Sequence, residues 1–330
     1  MRAAVVGCGF IGAAAGKLGA GAQSHAAAWA RQEGVRLVAL CDPDTAALRA
    51  AMERWGVGSG FEELDDLLVQ ARPEIVSVCT PDATHAAVLG RVLEAPSVRA
   101  VLAEKPLAMD SAAARAIVRT AEERGVLLAV NYGRRSLPSH RRLRDWLRDG
   151  GIGAVLAVNG VYSRGLKHNG THWLDLARFL VGEIAQVAGF GPPAGATGDP
   201  TVDVALRFAN GARGTLSGVP NLAYSLFEMD LIGTAGRARL VEGGHRFDVT
   251  AVGPSPRFPD YQELLPAPGP AGGLEDLVGH TAADVLDALS GGRAPMCSGW
   301  DGVVALELAE AALGRAVSFS RGPEIREVAL

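Results

Sequence analysis

Lys105 stands in the run VLAEKPLAMD, where Glu104, Lys105 and Pro106 directly follow a short apolar stretch. Such a stretch reads as a buried strand, and in an open α/β sheet ligands bind beyond the carboxyl ends of the strands. An ammonium at that place can hydrogen-bond a substrate hydroxyl or carbonyl and stabilise a developing alkoxide. Glu104 can orient the lysine, and Pro106 turns the chain sharply. A second chemical stretch is GLKHNGTHWLDLARF, with His168, Asn169, Thr171, His172 and Asp175 close together. An imidazole works as general acid or base near neutral pH, so His172 is the candidate proton carrier. His168 either shares that role or forms part of a pocket wall. Asp175 either shares a helical face with His172 or meets a basic partner. The H-x-x-x-H-x-x-D spacing lacks the glutamate of a zincin helix, and no metal is expected.

The N-terminal segment RAAVVGCGFIG places Gly7, Gly9 and Gly12 in G-x-G-x-x-G spacing after an apolar run. Glycine is abundant, 42 of 330 residues, so the motif means little without its context. In a dinucleotide loop Gly7 makes the tight turn, Gly9 admits the phosphates, and Gly12 lets the next helix pack close, with Phe10 and Ile11 between them. Asp42, ending the run LVALCDPD, can accept hydrogen bonds from the adenosine ribose. It repels a 2′-phosphate, which favours NAD over NADP. Asp42 lies well beyond the spacing of about 20 residues usual after the motif, and AAAGKLGAGAQ reads as an insertion. Whether residues beside Gly12 or Ser24 would cap the phosphate stays open. Thr80, Pro81 and His85, in SVCTPDATHAAV, follow a third apolar run and belong to the same crevice.

These residues need a frame. Apolar runs at Ala3–Val6, Leu37–Cys41, Ile75–Cys79, Ala100–Ala103 and Leu127–Val130 alternate with helical spacing at His25–Gln32, Thr45–Trp55, Leu64–Ala71, Thr84–Leu93 and Ala112–Arg124. That alternation predicts a parallel sheet covered on both faces, over residues 1–130. Asp65 and Ser111 read as helix starts and Gly125 as a stop. Beyond residue 131 the texture changes. The sequence predicts a helix at Ser139–Arg148, a strand at Val155–Tyr162, a helix at Trp173–Leu180, and hairpins at ALRFANGARGTLSGV and EMDLIGTAGRARLVEG. Asn210-Gly211 supplies the positive φ of a two-residue turn. A Pro/Gly-rich loop precedes closing helices at Asp276–Leu289 and Val303–Ala316. Residues 131–330 thus form an α+β unit with a large, open, mostly antiparallel sheet. The fold class is α/β with an N-terminal Rossmann unit, and the open sheet predicts a homodimer or homotetramer.

The blocks GCGFIG, LCDPD, CTPDATH, AEKPLA, VNYGRR and HNGTHWLDLARFLVGE, in this order and over nearly the whole chain, resemble the glucose–fructose oxidoreductase / inositol dehydrogenase / MocA family. The resemblance implies hydride transfer between NAD(P) and a sugar or cyclitol carbon. Lys105 matches the family's catalytic lysine, whose bond to proline is often cis. The family carries an aspartate four residues before a histidine; here His172 matches the histidine and His168 stands at the aspartate's place. Asn131 and Tyr132 are expected to face the nicotinamide or the sugar. Arg134, with Arg135, Arg164 and Lys167, would bind a substrate phosphate or else form a solvated face. The insertion, SHAAAW and HNGTH resemble a branch acting on nucleotide-linked or activated sugars. Two other activities remain open within the resemblance: glycoside cleavage with transient redox on tightly bound NAD, and dinucleotide sensing without turnover.

Composition narrows the classes. Hydrophobic residues make up 48% and charged residues 21%, with a net charge of −4, which does not suit a nucleic-acid surface. No apolar run has the ~20 residues of a membrane span. Cys8, Cys41, Cys79 and Cys297 have no metal-type spacing and three lie in or beside apolar runs, as expected of a reduced cytoplasmic protein.

Overall fold

A computed structural model describes residues 1–14, 23–190, 198–220 and 223–314. Most of the expected insertion after Gly12 lies outside these residues. The N-terminal sheet contains β1 (Arg2–Val6), β2 (Arg36–Cys41), β3 (Gly60–Phe61), β4 (Ile75–Val78), β5 (Ala100–Ala103) and β6 (Leu127–Val130). All are parallel, in the order β3-β2-β1-β4-β5-β6. Strands β4 and β5 are buried at every position, which explains why their sequences run apolar without alternating. The order reverses between β1 and β4, and the crevice at such a switch point is where an open α/β sheet takes its ligand.

Helices α1 (His25–Arg31), α2 (Thr45–Trp55), α3 (Leu64–Asp66), α4 (His85–Glu94) and α5 (Ser111–Glu123) make the crossovers. Two of the expected starts move. Asp110, not Ser111, caps α5 by accepting from the Ala113 N–H. Asp65 lies inside α3 and pairs with Arg91 on α4. The stretch 64–71 is one short helical turn followed by a wider turn at Leu67–Ala71, rather than a continuous α-helix. Gly125 does end its helix, at φ 65°.

The second sheet has eight strands: β7 (Val155–Ser163), β8 (Ile184–Phe190), β9 (Asp203–Phe208), β10 (Arg213–Val219), β11 (Phe227–Gly233), β12 (Gly236–Val241), β13 (Arg246–Pro254) and β14 (Gln262–Pro266). Their order is β14-β13-β12-β11-β7-β10-β9-β8, antiparallel except for β7 beside β10. The Asn210-Gly211 turn joins β9 to β10 with Gly211 at φ 90°. Edge strand β14 lies within the Pro/Gly-rich segment that reads as a loop; its two-residue alternation is masked by flanking prolines.

Helices α6 (Pro138–Arg148) and α7 (Thr171–Val181) pack with this sheet. Trp173 of α7 lies against Gly160 of β7, where a Cβ would stand 2.1 Å from the indole nitrogen. That nitrogen donates to the Glu228 carbonyl at 2.9 Å. The closing helices do not stay with the second half. Helix α8 (Leu277–Gly291) buries Val278, Ala282 and Val285 in the core beneath the first sheet, and α9 (Gly299–Gly314) contributes to both cores. An apolar helix face does not reveal from sequence which of two sheets it will cover.

Candidate active site

The glycine loop is built by packing. Gly7 has φ 95°, and a Cβ there would meet the Cys79 carbonyl oxygen at 2.5 Å. A Cβ on Gly12 would stand 1.9 Å from the Gly7 oxygen, whereas one on Gly9 would meet none of the described residues within 4 Å. The three glycines therefore differ in kind: two are required by the protein's own backbone, and Gly9 faces open space. Phe10 beside it is 77% exposed, and Ile11 is half-buried. Asp42 accepts from the Cys8 N–H at 2.6 Å with one oxygen and from the Asp44 N–H at 2.8 Å with the other, which fixes the carboxylate against the loop. Ser24 is fully buried and caps α1 through the Ala27 N–H, so its hydroxyl is committed to the helix.

At the carboxyl ends of β4 and β6, Thr80 Oγ1 and Asn131 Oδ1 are buried with no hydrogen-bond partner among the described residues. A buried polar atom without a partner costs about 1–3 kcal/mol, and here two stand at the edge of the ligand crevice. Both atoms and the open space at Gly9 fit a dinucleotide laid across the switch point. Pro81 is exposed at the same edge.

Lys105 is joined to Pro106 by a cis peptide bond. Its ammonium donates to the His168 carbonyl at 3.0 Å and lies 3.3 Å from the His168 ring. The same ring nitrogen, Nδ1, lies 3.6 Å from the Asp82 carboxylate. Asp82, unnoticed in the sequence, thus brings a carboxylate to the imidazole that stands at the expected aspartate's place; the signal was the PD pair after the third apolar run. The Asp82 carboxyl is held below its usual range, chiefly by the His168 hydrogen bond. Burial lowers the Lys105 pKa, while Glu104, Asp82 and Asp199 favour its charge.

His172 sits in the first turn of α7, its ring edge-to-face with Tyr132 at 5.1 Å. Burial holds its pKa well below the usual histidine value, and the nearby charges of Lys105, Arg134 and His168 push the same way. Lys105 and His172 therefore share one electrostatic neighbourhood. Asn169, on the wide turn before α7, donates to the Ser163 carbonyl at 2.9 Å.

Glu104 and His85 lie beneath the crevice, with their polar atoms committed to protein partners. His85 is 1% exposed, with its ring nitrogens 2.7 Å from the Pro106 and Thr80 carbonyl oxygens. Glu104 is 7% exposed and accepts from Asn131 Nδ2 at 2.6 Å and from the Lys105 N–H at 3.2 Å. His25, fully buried at the start of α1, stands 2.9 Å from Glu104 and 2.9 Å from Ser77, whose hydroxyl also accepts from Trp29. Burial raises the Glu104 pKa, but His25, Asn131 and Lys105 outweigh it and the net shift is downward. Sequence reading missed this chain of contacts. Its signal was a histidine four residues before a tryptophan in an otherwise alanine-rich helix.

The four candidate cations separate cleanly. Arg135 is neutralised by Asp175 at 2.8 Å and Asp301 at 3.1 Å, which also settles Asp175 as its partner. Lys167 donates to the Met109 carbonyl and lies 3.8 Å from Glu310. Arg134 stacks 3.9 Å over the Phe227 ring and donates through Nε and a terminal nitrogen to the Gly243 carbonyl. Arg164 and Arg134 line one cavity beside His168 and Asn169.

Comparison with known proteins matches residues 1–132 to a family described as an oxidoreductase family with an NAD-binding Rossmann fold, and residues 140–239 to the GFO/IDH/MocA C-terminal domain. A D-apiose dehydrogenase of Paraburkholderia graminis is 29% identical over 204 residues, 57% of this chain and 51% of that protein. The chain thus aligns with about half the length of the first curated relatives it matches. The rhizopine catabolism protein MocA of Rhizobium meliloti is 26% identical over 340 residues, covering 96% of this chain and 98% of that one. A levoglucosan dehydrogenase solved with NADH superposes with a TM-score of 0.77 at 19% identity, over 96% of both chains.

Proposed function

The chain belongs to the GFO/IDH/MocA oxidoreductase family, with its NAD-binding Rossmann fold, and from that premise we propose that it is an NAD-dependent dehydrogenase of a secondary alcohol on a sugar or sugar derivative. What supports this reading is that the Lys105 ammonium is held by the His168 carbonyl, four residues before His172 in the turn that leads into α7, and that its charge acts on the His172 ring. The imidazole is kept neutral by burial and by neighbouring positive charge, so it meets an alcohol as a base. The ammonium beside it is supported by three carboxylates and stabilises an alkoxide.

In the oxidative direction the substrate hydroxyl gives its proton to His172 while Lys105 donates a hydrogen bond to the oxygen. NAD, when bound, supplies the hydride acceptor. In the reductive direction the protonated His172 returns the proton, and Lys105 polarises the carbonyl. The His168 main chain holds the ammonium in place, and the Asp82–His168 contact fixes that turn. Gly9 leaves room for the pyrophosphate and Asp42 takes the ribose hydroxyls, which favours NAD over NADP. Thr80 Oγ1 and Asn131 Oδ1 would offer their unpaired polar atoms to the nicotinamide end of a bound NAD.

The names of the relatives, dehydrogenases of apiose, glucosides and inositol among them, support a sugar-type substrate. The test is a panel of sugars, cyclitols and nucleotide-linked sugars with NAD or NADP, followed at the nicotinamide band. Net NADH formation with at least one is expected. Binding of NAD without turnover anywhere on the panel would instead favour a dinucleotide sensor.

A further inference from the structure

The geometry points to an oxyanion subsite at Arg134: the substrate carries a carboxylate or phosphate group that docks on this guanidinium while its carbinol carbon lies beside Lys105 and His172. This deepens the proposed function and rests on it for the identity of the reacting centre. Three observations carry it.

First, Arg134 has no carboxylate partner among the described residues. Its hydrogen bonds go to one neutral oxygen, the Gly243 carbonyl, at 3.2 Å from Nε and 2.9 Å from a terminal nitrogen. A guanidinium has five donors in a planar fork, so the remaining N–H groups have no acceptor among the described residues. The contrast with its neighbour is sharp, since Arg135 meets two aspartates. Burial is the one influence on Arg134, and it pushes the pKa down to about 10. Arg134 is half-buried, and a cation so placed without a counter-charge among the described residues is costly unless a ligand supplies one.

Second, the fork is held in place. Phe227 lies 3.9 Å beneath it, and the two bonds to Gly243 fix its plane. An arginine clamped by stacking and by a main-chain oxygen presents its free edge with little entropy left to lose on binding.

Third, Arg134 borders the right place. Arg134 lines a cavity of about 400 Å³ together with Arg164, His168, Asn169 and Phe227. His168 also touches Lys105 at 3.3 Å, so the cavity adjoins the reacting centre. Glu228 and Glu242 line it too, but neither is paired with Arg134, and Glu242 is bound to Arg246 at 2.9 Å.

The experiment compares sugar acids and sugar phosphates with the corresponding neutral sugars, in the wild type and in Arg134→Gln and Arg134→Lys. The readout is the ratio of kcat/KM for the anionic over the neutral member of each pair. A charge-assisted contact contributes about 1.5–3 kcal/mol, so the ratio is expected to fall about 10- to 100-fold in Arg134→Gln and less in Arg134→Lys, which keeps a point charge. The sugar-acid and sugar-phosphate arms distinguish the two anion sources. Equal kcat/KM for neutral and anionic members, unchanged ratios in both variants, would overturn the subsite while leaving the dehydrogenase reading intact. Should no sugar be turned over, calorimetry on the NAD-loaded protein reads the subsite directly. Sugar-acid or sugar-phosphate binding weakened about 10-fold or more in Arg134→Gln supports it even then, and no Arg134-dependent binding overturns it.

Discussion

Replacing Gly9 and Gly12 by alanine, one at a time, separates what the loop does for the fold from what it does for a ligand. A Cβ on Gly12 would stand 1.9 Å from the Gly7 oxygen, 3.0 Å from the Gly7 carbonyl carbon and 3.2 Å from the Cys79 Cβ. Two of those atoms are backbone, so relief requires moving the loop off the end of β1. Overpacking of this kind costs about 1–3 kcal/mol or more. At Gly9 the same methyl meets none of the described residues within 4 Å and the backbone lies outside the positive-φ region. By the unfolded-state argument Gly9→Ala leaves the apoprotein unchanged or stabilises it by about 0.4–1 kcal/mol. The added methyl does fill the space a pyrophosphate needs, and a loss of at least about 10-fold in NAD affinity, or 1.4 kcal/mol, follows. Thermal unfolding of the apoproteins and calorimetric titration with NAD read the two effects separately. The expected pattern is crossed: Gly12→Ala loses stability, whereas Gly9→Ala keeps stability and loses NAD. A Gly9→Ala protein that binds NAD as tightly as the wild type would refute the placement of the dinucleotide, and one that unfolds early would refute the claim that Gly9 faces open space.

Further outcomes follow from the same geometry. Asp42→Ala should weaken NAD more than NADP, because the lost carboxylate both accepts from the ribose and repels a 2′-phosphate; equal losses in two parallel titrations would contradict that role. The pH profile of kcat/KM for oxidation has a worked sign. His172 is active as the neutral base and its pKa lies well below 6.5, so no acid limb is expected at or above that value. Lys105 is active as the cation and its pKa is lowered from 10.5, so the alkaline fall begins below that value. An acid limb above pH 6.5 that disappears in a His172 variant would contradict the neutral-base assignment.

The frame was legible because its signals are local. Strands β4 and β5 are short, fully buried apolar runs, and Asn210-Gly211 states its turn outright. The glycine loop, Asp42 and Lys105 stand at strand ends, so placing the strands placed them. What escaped depends on contacts distant in sequence. Nothing near His25 says that its ring will meet Glu104, 79 residues later, nor that α8 will return to the first sheet after all the strands of the second. The two-residue strand β3 is too short to carry any period, and β14 is bounded by prolines that hide it. The four arginine and lysine candidates looked alike in sequence because charge pairing is decided by tertiary neighbours; only the structure separates Arg134, without a carboxylate, from Arg135, held by two.

The most direct test of the account is Lys105→Met, measured for both NAD affinity and turnover on the best substrate of the panel. Methionine keeps the aliphatic stem and removes the ammonium. The account predicts an NAD dissociation constant within a few-fold of the wild type and a kcat lowered about 100-fold or more, the scale of losing one preorganised donor at a developing oxyanion. Undiminished turnover in Lys105→Met would contradict it.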